Sequence, residues 1–161
     1  MEDLEALLAR QPFFRGMDPR WIAFLAGCAR NVRFNAGEYL FHEGDEAIRF
    51  LLIRHGRVAL ETHVPGHGPV TIQTIGADDV VGWSWLFPPY RWIFDARAVE
   101  LVRAVEFEAA CIRQKCDQDP AFGYVMLMRL VPVIVSRLQA TRLQLLDVYG
   151  VVAGRHAHTR A

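Results

Sequence analysis

The chain has 161 residues, 52% hydrophobic and 22% charged, with 18 Lys+Arg balancing 18 Asp+Glu. This length suits one domain with a real core, and the composition excludes a disordered segment. A net charge of zero offers no basic face for nucleic acid, so the expectation is no DNA binding.

The chain opens with acidic Met-Glu-Asp-Leu-Glu, unlike a secretory signal peptide. Leu4, Leu7 and Leu8 fall at helical spacing and predict a short helix over 3–11. Asp18-Pro19 is a helix start, with Asp as cap and Pro in the first turn. Trp21, Ile22, Phe24, Leu25 and Cys28 then predict an amphipathic helix ending near Ala29.

From Val32 the period changes. Short β-branched and aromatic runs at 32–34, 39–41, 50–54, 57–62, 70–75, 80–81, 93–98 and 102–107 alternate with turns carrying Gly37, Gly44, Gly56, Gly66, Gly68 and Gly76. About eight strands at such spacing predict a closed or double-sheet β unit. After Glu108 the pattern is helical again, with a short helix over 109–116. Asp117-Gln118-Asp119-Pro120 starts a long one over about 119–148. The expected organisation is one domain over 1–150, with its β-roll at about 31–108, and a flexible tail at 151–161.

On the long helix, Leu127, Val131, Ile134, Leu138, Thr141, Leu145 and Val148 recur at alternating steps of four and three. This is a heptad stripe suited to a partner helix. Met126, Leu130, Val133, Leu143 and Leu146 remain on other faces to pack on the chain's own roll. A helix apolar on more than one side needs more than one partner surface, so the expectation is a homodimer paired through this helix. Pro132 removes a backbone donor and predicts a kink.

Cys28, Cys111 and Cys116 are an odd number at scattered spacings. They predict structural thiols in a reducing compartment rather than a disulfide framework or a zinc site. The apolar run 124–135 is interrupted by Arg129 and Pro132 and falls short of the ~20 residues a membrane span needs. The expectation is a cytoplasmic protein without a membrane contact.

Several local words are more specific. Pro12-Phe13-Phe14-Arg15-Gly16-Met17, the run 34–45 (FNAGEYLFHEGD), the run 50–60 (FLLIRHGRVAL) and 75–82 (IGADDVVG) resemble cyclic-nucleotide-binding domains of the cyclic-AMP receptor protein superfamily, in their bacterial form. Arg137-Leu-Gln-Ala-Thr141 resembles the part of the long helix that faces the ligand in that family. The resemblance covers about 4–148. It implies a mainly β fold with flanking helices: a double-stranded β-helix, or jelly-roll-like β-roll, plus a long C-terminal dimerisation helix. Transcription factors of the superfamily continue into a winged helix-turn-helix, for which some dozen residues after Asp147 leave no room; a stand-alone form is expected.

The resemblance also implies a phosphate-binding cassette, and here the residues depart from it. Such a cassette opens with Gly and a Glu for the ribose and later supplies an Arg for the cyclic phosphate. In residues 82–98 (GWSWLFPPYRWIFDARA), Gly82, Arg97 and Ala98 match without a gap. The Glu position is Trp83, and the Arg position is Trp92. A buried phosphate needs a charge-assisted, preferably bidentate partner, and an indole supplies one N–H and an apolar face.

The expected pocket is therefore aromatic-rich and non-standard, formed by Gly82, Trp83, Ser84, Trp85, Arg91, Trp92, Thr141 and Arg142. It would suit a small apolar or acidic ligand rather than cyclic AMP, with Arg91 or Arg142 available for an acid group. The alternative is a genuine cyclic-nucleotide-binding regulator in which Arg91, re-aimed by a bulge, replaces the missing arginine. The six histidines present no convincing axial haem ligand, no metal site is expected, and no catalytic constellation appears. The function is thus expected to be non-enzymatic. Two forms remain: a sensor that signals to an unknown partner protein by shifting its paired helix, with Pro132 as hinge, or a constitutive dimeric interaction module with a filled pocket.

Overall fold

The computed structural model describes residues 3–157, with side chains through Asp147. Helices α1 (Leu4–Arg10) and α2 (Pro19–Gly27) lead the chain, separated by a 3-10 turn at Pro12–Phe14. Strands β1 (Ala29–Phe34), β2 (Tyr39–Phe41), β3 (Arg49–His55), β4 (Val58–Val64), β5 (Gly68–Ile75), β6 (Val80–Val81), β7 (Asp95–Ala98) and β8 (Val102–Glu108) follow. Helices α3 (Ala109–Gln118) and α4 (Pro120–Ala157) complete it. The strands form two antiparallel sheets, ordered β1-β8-β3-β6 and β2-β7-β4-β5. This is the double-sheet β unit that the turn spacing predicts, in the β-roll form with flanking helices that the resemblance implies.

The core forms where apolar runs cannot face water on either side. Phe50, Leu51, Leu52 and Ile53 on β3 are all fully buried. Their side chains alternate between faces, so this strand is covered both by the opposite sheet and by helices. Phe50 and Phe107 are register partners and stack with ring centroids 4.5 Å apart. Trp85 stacks on Phe50 at 4.7 Å, and Phe14 meets Phe107 at 5.5 Å. Each such side chain contributes on the order of 2 kcal/mol by leaving water. At the β3–β4 turn, Gly56 has φ +85° and a Cβ there would lie 2.2 Å from the Leu101 carbonyl oxygen. Only glycine fits.

Glu106 on β8 is buried and needs partners. Arg30 on β1 donates to it at 3.0 Å and Arg49 on β3 at 3.1 Å, so one carboxylate ties three neighbouring strands. Asp18 caps α2, accepting from the Arg20 amide at 2.8 Å. Asp119 accepts from the Phe122 amide at the start of α4 and from the Trp21 indole at 3.2 Å. The cap of the last helix is thereby fastened to α2. Gly123 lets α4 approach α3, since a Cβ there would sit 3.2 Å from the Cys116 carbonyl oxygen.

At the cysteines and at the end of α4 the structure differs from the sequence expectation. First, Cys28 and Cys111 are disulfide-bonded, with Cα atoms 6.2 Å apart, and Cys116 is free. The β1–β8 ladder pairs Ala29 with Phe107, and the Glu108 amide donates to the Cys28 carbonyl, which sets two distant cysteines side by side. Burial pushes the Cys116 thiol up from its ordinary pKa, as for an inert structural thiol.

Second, α4 continues through Gly150 to Ala157, so residues 151–157 are helical where a tail was expected. An isolated glycine costs a helix only about 1 kcal/mol. Residues 158–161 lie outside the described residues. The helix also runs through Pro132 without interruption.

Within Pro120–Asp147 an 18-residue window reaches a mean hydropathy of 1.6, so by length and composition alone α4 could cross a membrane. Phe122, Met126 and Leu130 are nevertheless buried in the domain core. Arg129 donates to the carbonyls of Phe13 at 2.6 Å and Arg15 at 2.9 Å. The first half of α4 is docked on its own domain.

The bridge closes a loop of 83 residues, a length at which the loop-entropy account gives about 4.5 kcal/mol of stabilisation. Oxidised, denatured protein should therefore expose one alkylatable thiol by mass, and three after reduction. Cys28→Ser should lower the unfolding free energy of the oxidised protein by about 2–4 kcal/mol in urea and leave that of the reduced protein nearly unchanged. Three reactive thiols before reduction would contradict the bridge.

Candidate functional site

Between β6 and β7 the chain forms no continuous strand, and its backbone polar groups must find partners elsewhere. The Gly44 amide donates to the Trp92 carbonyl at 2.9 Å, the Trp92 amide to Asp45 at 3.0 Å, and the Ala47 amide to Tyr90 at 2.7 Å. From α3, Arg113 donates to the Trp85 carbonyl at 2.7 Å and lies 4.4 Å from the Tyr90 ring centroid. Arg97 on β7 donates to buried Glu61 on β4 at 3.0 Å.

Within this segment Gly82 has φ +94°, and a Cβ there would fall 2.6 Å from the Trp92 ring. Trp92 is 3% exposed and stacks almost parallel on Phe41 at 3.8 Å. The indole is thus sandwiched between Gly82 and Phe41. Ser84 and Trp85 are buried too, and Trp85 belongs to the core stack. Arg91 is exposed and donates to the Gly44 carbonyl at 2.9 Å.

A groove of about 710 Å³ runs between the roll and α4. Leu60, Thr62, Ile72, Gln73, Trp83, Ile93 and Phe94 form the roll side; Ile134, Arg137, Leu138, Thr141, Gln144 and Leu145 form the helix side. Trp83 meets Phe94 edge to face at 5.3 Å. Arg137 is 6% exposed, donates through Nη2 to the Val80 carbonyl, and lies 5.1 Å from the Trp83 ring centroid. Its Nη1 is buried without a hydrogen-bond partner. Burial pushes this guanidinium down to about 10, with Asp79 opposing the shift, so it remains cationic at neutral pH.

Of the eight residues expected to form a pocket, the groove brings together Trp83 and Thr141. Gly82, Ser84, Trp85 and Trp92 lie in the packed segment behind it, while Arg91 and Arg142 are exposed and do not line it. Arg137 was not among the candidates. It lies one helical turn before Thr141, whose hydroxyl donates to the Arg137 carbonyl at 3.0 Å, and that i, i+4 relation is the signal that places both on one face. On the heptad stripe, Leu127, Val131, Leu138, Thr141 and Leu145 are exposed and Ile134 is half-buried. The stripe and the helix wall of the groove share Ile134, Leu138, Thr141 and Leu145.

A second depression, of about 590 Å³, is lined by Arg30, Arg49, Glu106 and Arg113 among others. There Glu106 is already engaged by Arg30 and Arg49. Among the described residues no group of three His, Cys, Asp or Glu side chains could hold a metal ion.

Residues 31–119 match the family model of the cyclic nucleotide-binding domain. The chain belongs to the cyclic nucleotide-binding domain family. A CRP-like cAMP-activated global transcriptional regulator of Mycobacterium tuberculosis is 28% identical over 155 residues, covering 96% of this chain and 67% of that protein. The chain therefore spans about two thirds of that relative's length. Among solved structures, a protein from Geobacter metallireducens GS-15 described as a candidate cyclic nucleotide-binding protein aligns with a TM-score of 0.76 at 25% identity, over 86% of this chain and 99% of that one. The regulatory subunit of a cAMP-independent protein kinase A from Trypanosoma brucei shares the fold, with a TM-score of 0.65 at 18% identity over 89% and 49% of the two chains. The family is a regulatory one, and this chain carries its fold.

Gly82→Ala should cost about 1–3 kcal/mol in urea unfolding, because the added methyl meets both a positive φ and the Trp92 ring. In a Trp92→Leu background the further cost of Gly82→Ala should be smaller, because the ring that the methyl meets is gone. An unchanged midpoint for Gly82→Ala alone would contradict the packing of the indole on the glycine.

Proposed function

We propose that this chain is a non-enzymatic sensor or interaction module, a homodimer paired through α4, whose rebuilt aromatic pocket does not bind cyclic AMP in the family's usual way. The observation that carries this reading is the Trp92 indole packed between Gly82 and Phe41, where the family resemblance expects an arginine for the cyclic phosphate. A desolvated phosphate beside an indole would lack the charge-assisted partner it needs. Arg91 is engaged at the Gly44 carbonyl and faces solvent, which weighs against its serving as the substitute.

The pairing is supported by the exposed apolar stripe on α4, where Leu138 is 68% exposed and Leu127 49%. A row of large apolar side chains in water is a surface that association would cover. Leu138 and Leu145 also border the groove, so ligand occupancy and helix pairing would act on the same side chains. We place the protein in the cytoplasm on the footing of its family alone, since the Cys28–Cys111 bond removes the argument from reduced thiols; there it signals to a partner protein, neither reading DNA nor entering a membrane through this segment.

Cyclic AMP at about 1 mM should leave the melting temperature within about 1 °C of its ligand-free value, whereas a Kd near 10 μM would stabilise by about 2.7 kcal/mol. A clear upward shift that Arg91→Ala abolishes would establish the Arg91 reading instead. Native mass spectrometry at micromolar concentration should give a dimer, and Leu127→Glu with Val131→Glu should give a folded monomer. A monomeric parent protein would remove the pairing.

A further inference from the structure

We propose that the groove between the roll and α4 takes an amphipathic acid, one carboxylate on an apolar body, and that Arg137 reads the acid group. This rests on the reading that the groove is not a cyclic-nucleotide site. The wall is mostly aliphatic and aromatic, with Leu60, Ile72, Trp83, Phe94, Ile134 and Leu138 among its members. A volume near 710 Å³ lies within the range of small-molecule sites.

Among the described residues Arg137 is the one charged side chain lining that wall. Its guanidinium has a backbone carbonyl on Nη2 and an indole face beside it; Asp79 acts on it through space, and among the described residues no carboxylate hydrogen-bonds to it. A buried cation with an unpartnered N–H is an incomplete arrangement, since buried charge is otherwise paired. A carboxylate would supply the opposite charge and the acceptor together. A single negative charge matches the one guanidinium, since among the described residues no second cation lines the groove. Nη1 is out of contact with solvent, so the acid reaches it as the Trp83 ring or the Arg137 side chain turns. Uptake should therefore alter indole emission.

The test titrates decanoate and decanol, below their aggregation limits, into the full chain, followed by calorimetry and tryptophan fluorescence. Decanoate should bind at least about 10-fold more tightly than decanol, the difference a charge-assisted hydrogen bond makes. Arg137→Met should bind both alike. Gln144→Trp, an exposed helix position that fills the groove and leaves Arg137 in place, should weaken both about 10-fold. Equal affinity of the unaltered protein for acid and alcohol, a preference for acid that survives Arg137→Met, or no binding of either would overturn the proposal. If Arg137→Met fails to fold by circular dichroism, the acid-to-alcohol ratio and Gln144→Trp still decide. Cyclic AMP in the same titration separates the two readings. Saturable binding of it removes the underlying one, whereas silence toward both cyclic AMP and decanoate removes the acid alone.

Discussion

The peptide groups of the segment linking β6 to β7 have no continuous strand ladder to satisfy them, and the arrangement of the whole site follows from how that segment is held. Three elements do the holding. The β2–β3 connection exchanges hydrogen bonds with Tyr90 and Trp92, α3 reaches the Trp85 carbonyl through Arg113, and the core takes up the Trp85 ring. With Trp92 pressed between Gly82 and Phe41, the segment is ordered by its own side chains. A binding loop that needed a ligand to complete its contacts would lack such internal anchors. The same pinning leaves Trp83, at its near end, facing α4.

Helix α4 then has incompatible demands on its surface. Phe122, Met126 and Leu130 belong to the core, Arg137 spans to β6, and Leu127, Val131 and Leu138 stand in water. Side chains four and three apart share a face, so the core face and the exposed stripe are separate rows. They converge only near Ile134, where the groove begins. In the sensor reading this convergence supplies the coupling: a ligand that moves α4 against the roll shifts the row that a second copy would meet. A ligand acts on an equilibrium only through such differential contacts.

The strand plan was legible because turns and apolar runs are local. Residues 39–41 and 80–81 coincide with β2 and β6, and the other strands differ at their ends. Asp18 and Asp119 announced their helices through cap chemistry that needs only neighbouring residues. What escaped was decided by distant partners. Cys28 and Cys111 become adjacent only through the β1–β8 ladder. Arg137 stands in the stretch 137–141 that resembles the ligand-facing part of the family's long helix, but its burial is not local: it comes from β6 and Trp83 closing over it. Trp85 and Trp92 were grouped with Trp83 because they share a segment, yet an irregular path sends the first into the core and the second onto Phe41. Trp83, Trp85 and Trp92 are each readable from the sequence; which of them faces open space is a tertiary matter.

The bond between Cys28 and Cys111 has a topological consequence. Cys28 precedes β1 and Cys111 follows β8, so the oxidised chain encloses the entire roll in a covalent ring. The β4–β5 hairpin tip at Pro65, Gly66 and His67 is part of that ring. A single peptide cut there by a protease would open the circle without releasing either piece, and α1 and α4 would remain parts of one molecule. Only reduction and cleavage together would let the halves diffuse apart.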